Sequence, residues 1–454
     1  MTMLLDTSNE TTDPEPDPAK TAFRNQLLPL TVANALKVPF YRHHWAGCPT
    51  EAVERSEDLA LLPTIDKSVL LAHPHRERLH PELAPEVITH TTGTTGHPFI
   101  RARSSVEIAA FKEHVAILQE VESARTGRPA RAPVTFSAVP ATVHGAFAST
   151  GLRLNVDVFT AAGLDKTIDL LLRDDLAPGD HERHLIGSPG GLLLLTRALR
   201  QRGLDPAALR LDRIVNLTDL LLPGQQALLR RAWPGTPLVN RFSLSEVSCG
   251  ATECTECGVF HFDPVALPEV LDLDTGTPVR SGTGELTATE LYPFAQLQPM
   301  VRYRTGDLVE RIASPCDPGE VSVRLVGRRA TTPLTTVDGR TVAVISPVAL
   351  AVGAELMPEL ERHPLGRPGT PGAEVRQGRP LIKVAGRAEG AAVHLELRAA
   401  PAFDPDLFPQ RARDLVAELT DLMERLTDPQ IPRTALRLDV RLATAGDFNR
   451  EGGR

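Results

Sequence analysis

Apolar positions along this chain recur with two different periods, and the switching between them predicts the architecture. In residues 106–125, Ile108, Phe111, Val115 and Leu118 fall at helical spacing, so this stretch reads as a helix with one apolar face. From residue 134 to residue 260 short apolar runs alternate with helical stretches. Residues 134–139, 184–186 and 213–216 read as buried strands, and residues 191–202, 206–211 and 225–232 as helices. This alternation predicts a parallel sheet with helices on its faces. Ligands of such sheets bind beyond the carboxyl ends of the strands. Asn216 to Asp219 and Asn240 to Glu246 both follow strands, which places both for binding.

Outside this region the pattern changes. Residues 21–80 read mostly as helices, broken at Pro39 and Pro63, and residues 87–90 as a short strand. Residues 284–289, 301–303, 308–312 and 321–326 read as strands of a β-rich unit. The remainder mixes strands near 341–345, 381–384, 393–398 and 436–442 with a helix at 408–426, and the Gly/Pro/Arg-rich stretch 366–378 reads as a mobile loop. The expected fold is α/β: a large N-terminal domain over residues 21–327, with parallel and mixed sheets and a β-rich subdomain, and a small α+β C-terminal domain over residues 328–454. A disordered acidic tail is expected at residues 1–20, where Asp13, Glu15 and Asp17 alternate with prolines.

The densest chemistry lies just after the strand at 87–90. Thr91, Thr92, Gly93, Thr94, Thr95 and Gly96 set four hydroxyls and two glycines in six residues. Glycines permit a tight turn that exposes successive amides, and such a turn is an anion site. His97 follows, so this is not the common phosphate loop that ends in Gly-Lys-Ser/Thr.

Three later motifs keep a fixed order with that loop: Asn240-Arg241-Phe242-Ser243-Leu244-Ser245-Glu246, Val301-Arg302-Tyr303-Arg304-Thr305-Gly306-Asp307, and Gly327-Arg328. The order resembles the adenylate-forming superfamily of acyl-CoA synthetases, adenylation domains and luciferases. Pro39-Phe40-Tyr41-Arg42, Leu62-Pro63-Thr64-Ile65-Asp66-Lys67, Gly187-Ser188-Pro189 and Gly284-Glu285-Leu286-Thr287 make it look most like the phenylacetate–CoA ligase branch. The resemblance covers residues 25–330 and weakens beyond them.

It implies an ATP-dependent ligase that joins a carboxylic acid to AMP and passes the acyl group to CoA. Thr91–Gly96 would hold the β- and γ-phosphates. Glu246 would ligate Mg²⁺, Ser245 would bind the α-phosphate, and Phe242 would stack on adenine with Asn240 and Ser243 beside it. Asp219 resembles the acid of the adenine-binding turn. Asp307 would accept both ribose hydroxyls, and a carboxylate's two oxygens suit a vicinal diol. Arg328 would contact ribose or α-phosphate at the hinge between domains. By family position, residues 140–147 and 188–191 line the acid pocket, and the small side chains of Ala141, Thr142, Val143, Gly145 and Ala146 leave room for an aromatic or medium-sized acyl group.

Cys249, Cys254, Cys257 and His261 form a separate constellation whose spacing suits tetrahedral, structural Zn²⁺. Cys48 and Cys316 read as unpaired structural cysteines.

The pattern departs from the family at its end. Relatives carry a lysine near the C-terminus that clamps carboxylate and phosphate, but this chain has no lysine after Lys383, and Arg450 is the nearest candidate. An amine or carrier-protein acceptor in a natural-product pathway is therefore the alternative to CoA, and a non-catalytic nucleotide-binding relative is the rival reading.

Composition narrows the remaining classes. A net charge of −8 argues against a nucleic-acid partner bound by bulk charge. The start of the chain shows neither the basic cluster nor the apolar run of a signal peptide, and the apolar stretch at 190–196 is too short to cross a bilayer. A cytoplasmic protein without membrane contact is expected, with a homodimer as its expected assembly.

Overall fold

The computed structural model describes residues 17–90, 99–127, 129–139, 151–177, 180–247, 250–366, 368–389 and 392–451. The Thr91–Gly96 loop, residues 140–147 of the expected acid pocket, Cys249 and most of the expected acidic tail lie outside them.

Helices α1 (Pro18–Ala35), α2 (Pro39–His44) and α3 (Lys67–Leu71) open the chain. Helix α1 begins inside the stretch expected as tail, because Asp17 accepts a hydrogen bond from the Ala19 amide and Pro18 takes the first helical position. Leu28, Val32, Phe40, Tyr41 and Trp45 form an apolar cluster with Phe294 and Met300. The hairpin β1 (Val87–His90) and β2 (Ile100–Arg103) then leads into α4 (Ser105–Thr126), capped by the Ser104 side chain. The face expected on α4 is only partly covered: Phe111 meets Phe294 edge-on, whereas Leu118 is 46 % exposed.

The parallel half follows the sequence expectation. It comprises β3 (Pro133–Ser137), β4 (Leu152–Asn155), α5 (Ala161–Leu171), β5 (Glu182–Gly187), α6 (Pro189–Gln201), β6 (Arg213–Asn216), α7 (Pro223–Ala232) and β7 (Leu238–Ser243). The strands lie in the order β4-β3-β5-β6-β7, all parallel. Phe136, Leu185, Leu192, Leu195, Ile214 and Trp233 pack the helices onto them. The helix expected at 206–211 is instead a 3₁₀ turn, Pro206–Leu209, ended by Arg210 at a φ of 50°.

Beyond β7 the same sheet continues antiparallel through β8 (Gly250–Glu253), β9 (Phe260–Phe262), β10 (Ala266–Leu271), β11 (Gly282–Glu290), β12 (Tyr303–Ile312) and β13 (Ser322–Arg328). Its order, β7-β8-β9-β13-β12-β11-β10, completes one mixed sheet of 11 strands. Strand β12 runs without the break expected between residues 303 and 308. Gly306 adopts a φ of 76° within the ladder, which a side chain rarely tolerates.

The rest of the chain is α+β: β14 (Leu334–Val337), β15 (Arg340–Ala343), α8 (Pro347–Ala354), β16 (Ile382–Glu389), β17 (Ala392–Ala399), α9 (Pro409–Leu426), β18 (Leu436–Leu442) and α10 (Ala445–Glu451). Strand β17 pairs antiparallel with β16 and parallel with β18. Leu415, Leu419, Leu422 and Met423 of α9 join Leu395 and Leu397 in a separate core. Around the stretch 366–378, expected as a mobile loop, the chain folds back on itself: Leu365 N donates to Val375 O at 3.0 Å, and Gly378 N donates to His363 O at 2.9 Å. Among the described residues no helix is long and apolar enough to cross a membrane.

Candidate active site

The β12–β13 pair builds the most distinctive corner of the molecule. Its register sets Asp307 opposite Arg328, and Arg328 Nε lies 3.1 Å from Asp307 Oδ1. Thr305 Oγ1 accepts the Asp307 amide at 3.0 Å, and Arg328 Nη1 donates to Thr305 O at 3.2 Å. Asp307 is buried, yet its Oδ2 has no hydrogen-bond partner. Such an atom is costly to leave unsatisfied. Burial pushes the Asp307 carboxyl up to about 6; Arg328 and the Thr305 hydrogen bond oppose the rise, and Glu246 and Glu285 add to it.

Glu246 is brought here from the far end of β7. It and Asp307 also stand among the charges acting on Tyr303, whose hydroxyl is held well above its usual range by burial first and by Glu246 next. The structure therefore gathers Glu246, Asp307, Arg328 and Tyr303 around one space. Ser243 Oγ and Thr332 Oγ1, at the ends of the neighbouring segments, are likewise buried without partners. Ser245 is half-buried beside Glu246.

Other expected residues take different parts. Asn240 is buried and engaged at both ends of its amide: Oδ1 accepts Asn216 Nδ2 at 2.8 Å, and Nδ2 donates to Glu253 Oε2 at 3.0 Å. It fixes the ends of β6 and β7. Phe242 leans edge-on against Phe260, with ring centroids 6.3 Å apart. Asp219 is exposed; its Oδ1 accepts the Leu220 amide at 2.8 Å and lies 3.5 Å from Arg379 Nη1. Thr218 before it holds a φ of 83°. That backbone is strained for a β-branched residue, and such strain gathers at functional turns. Arg450 lies in α10. Around the corner, Glu285 binds Arg304 and Arg329, two arginines that reading the motif alone did not single out.

The cysteine cluster sits at the opposite end of the same hairpin. The β8–β9 turn carries Cys254 and Cys257; it closes with Gly258 N donating to Cys254 O and with Gly258 at a φ of 69°. His261 Nε2 lies 3.3 Å from Cys257 Sγ. Among the described residues the fourth member is Cys316, from the loop between β12 and β13: one ligand atom from each of Cys254, Cys257, His261 and Cys316 lies within 4.8 Å of the others. Cys316 is a free thiol, as expected, but the pairing of two hairpins sets it beside these residues, a proximity invisible in the chain. Thiolates bound to one Zn²⁺ at about 2.3 Å stand about 3.8 Å apart, so the donor set fits a tetrahedral ion. Burial would raise the Cys257 thiol, but hydrogen bonds from Ser314, the Val259 backbone, His261 and Cys254 bring it down to about 6. His261 Nδ1 meets Ser322 Oγ at 2.9 Å and Asp317 at 3.7 Å, the outer contacts that orient a ligating imidazole. The loop also holds α1, through Lys20–Asp317 at 2.5 Å and the Arg24–Glu320 pair.

The parallel half, the antiparallel extension and the separate α+β end compose a fold shared with solved structures of a CoA ligase. Among solved structures, the chain is similar to 2-hydroxyisobutyryl-CoA ligase in an open conformation with 2-HIB-AMP and CoA, with a TM-score of 0.64 and 17% identity over 97% of this chain and 92% of that one. The same ligase matches in its postadenylation state with R3-HIB-AMP (TM-score 0.61, 18% identity, 97% and 90% covered) and in its thioesterification state (TM-score 0.54, 19% identity, 95% and 88% covered). No protein-family model matches the chain, and no curated protein matches it.

Proposed function

We propose that this protein is an ATP-dependent ligase that activates a carboxylic acid as its acyl-adenylate and transfers the acyl group to CoA. The observation that carries the reading is the Asp307 corner: a buried carboxylate with an unpartnered oxygen, beside Arg328 and within the field of Glu246. A diol donating to both Asp307 oxygens would satisfy the orphan atom, and ribose offers such a diol.

In the first half-reaction a carboxylate oxygen of the acid attacks the α-phosphorus of ATP, the bond to the β-phosphate breaks and pyrophosphate leaves. Glu246 suits Mg²⁺, which takes one or two carboxylates together with phosphate oxygens and would offset the charge that develops there. Asp307 would orient the ribose, Arg328 and Ser245 the α-phosphate, and Thr91–Gly96 the departing phosphates. Phe242 would border the base. In the second half-reaction the acceptor thiol loses its proton, attacks the acyl carbon and releases AMP. Residues 328–454 would rearrange between the two steps: many of them share a separate apolar core, and in the present arrangement Glu355 and Leu365 hold to the parallel half.

The acid is proposed to be aromatic or of medium size. A carrier-protein thiol or an amine is the second reading for the acceptor, favoured by the absence of any lysine after Lys383. We also assign a structural Zn²⁺ to Cys254, Cys257, His261 and Cys316. The test of the main reading is ATP–pyrophosphate exchange across a panel of aryl and alkyl acids without acceptor. Acid-dependent exchange supports it; ATP binding without exchange, for every acid, favours the non-catalytic relative.

A further inference from the structure

Helix α7 begins Leu222-Pro223-Gly224-Gln225, and leucine at the N-cap has no side-chain oxygen to satisfy the first free amides. A distant carboxylate supplies it. Glu355, which ends α8, accepts Gly224 N at 2.8 Å and Gln225 N at 3.2 Å. It is buried, and a Cβ added at Gly224 would stand 2.7 Å from its Oε1, so the glycine makes room for it. Gln225 Nε2 also donates to Gln377 O at 3.1 Å.

Around this pin, residues 363–379 lie against the parallel half. Leu365 is buried in its apolar core beside Val158, Phe159 and Val375, and Leu365 O would stand 3.3 Å from a Cβ at Gly190. Arg379 reaches Asp219, and His363 feels both charges. Gly190 and Asp219 follow the carboxyl ends of β5 and β6, the crevice where an open α/β sheet takes its ligand. Leu365, Val158, Phe159 and Gly190 give the β5 end an apolar face, which suits the organic part of an acid, while the Arg379–Asp219 pair stands at the β6 end.

We infer that Glu355 is a positioning residue that seats residues 363–379 as the outer wall of the acid-binding crevice, with Leu365 setting its size. This rests on the adenylation reading above. The test uses Glu355→Ala, and Gly224→Ala as an independent variant that displaces the Glu355 carboxylate from the other side. Hydrogen exchange in peptides spanning 222–232 and 362–379 is read alongside pyrophosphate exchange with benzoate and with butyrate. Both variants are expected to exchange about tenfold faster or more in both peptides, and to raise the KM for the acid about tenfold while leaving the KM for ATP within about twofold. Leu365→Ala is expected to shift preference towards the bulkier acid. Unchanged hydrogen exchange, or equal rises in both KM values, overturns the wall. Faster hydrogen exchange in a protein whose wild type activates no acid shows the docking but sinks the adenylation reading, and the acid wall with it.

Discussion

Two of the buried carboxylate clusters among the described residues are finished differently. Behind the β1–β2 hairpin, Glu290 takes Arg101 on one oxygen and Arg103 on the other, while Glu107 accepts the amides of Gln296 and Leu297 at 2.9 and 2.8 Å and faces Arg103 at 3.4 Å. Every carboxylate oxygen there has a partner. At the β12–β13 corner, Asp307 has one partner, the half-exposed Arg328, and one bare oxygen. A completed network fixes backbone segments to one another, whereas an incomplete one stores a demand that a ligand can meet. On the proposed function the first is scaffold and the second is site.

The largest expected effect breaks the scaffold side. Glu290→Ala leaves the buried Arg101 guanidinium without a carboxylate and Arg103 with Glu107 alone, and should cost about 3–5 kcal/mol in urea unfolding. A loss below about 1 kcal/mol would show that the network is not what holds the hairpin.

Asp307→Ala tests the other side. Removing a charged acceptor for two hydroxyls should lower acid-dependent pyrophosphate exchange by about 100- to 1000-fold. Its stability should move the opposite way from that of Glu290. The folded carboxyl titrates at about 6, above the usual value of about 4. Between those pH values the native state holds the extra proton, so stability falls as pH rises through the window. Asp307→Asn removes that penalty. At pH 7 it should be more stable than wild type by up to about 3 kcal/mol, and the gain should vanish below pH 4 in thermal melts. An asparagine variant less stable at pH 7 would mean the corner is scaffold after all.

The cysteine cluster belongs with Asp307 on the incomplete side. Purified protein should carry about one Zn per chain. Cys316→Ser should lose it and lower the melting midpoint by about 5 °C or more, whereas Cys249→Ser should keep it. The reverse result would restore the contiguous ligand set. The smallest effect sharpens the contrast between buried and surface charge: Lys20→Ala, at a partly exposed pair with Asp317, should change stability by less than about 1 kcal/mol.

Much of the architecture was legible in the chain because it rests on local period. Strands β3, β5 and β6 and helices α6 and α7 followed from apolar runs of strand length alternating with helical spacing, whereas β4 and α5 did not. Asp307, Arg328 and Glu246 were legible as motif residues, and that they converge is a property of strand register. Asn240 looked like a nucleotide contact because it stands in the same motif, but its amide is consumed inside the protein. The proximity of Cys316 to Cys254, Cys257 and His261 was not legible, because those residues lie in another hairpin.

By itself, then, the sequence determined the elements, the α/β class and the chemical inventory of the site, since hydrophobic period and backbone preference act over a few residues. Only the tertiary structure decided which buried carboxylate is satisfied, that Cys316 stands beside Cys254, Cys257 and His261, and that Glu355 caps a helix 130 residues away from it in the chain. Those outcomes depend on desolvation and on long-range pairing, and both arise only when distant segments are packed together.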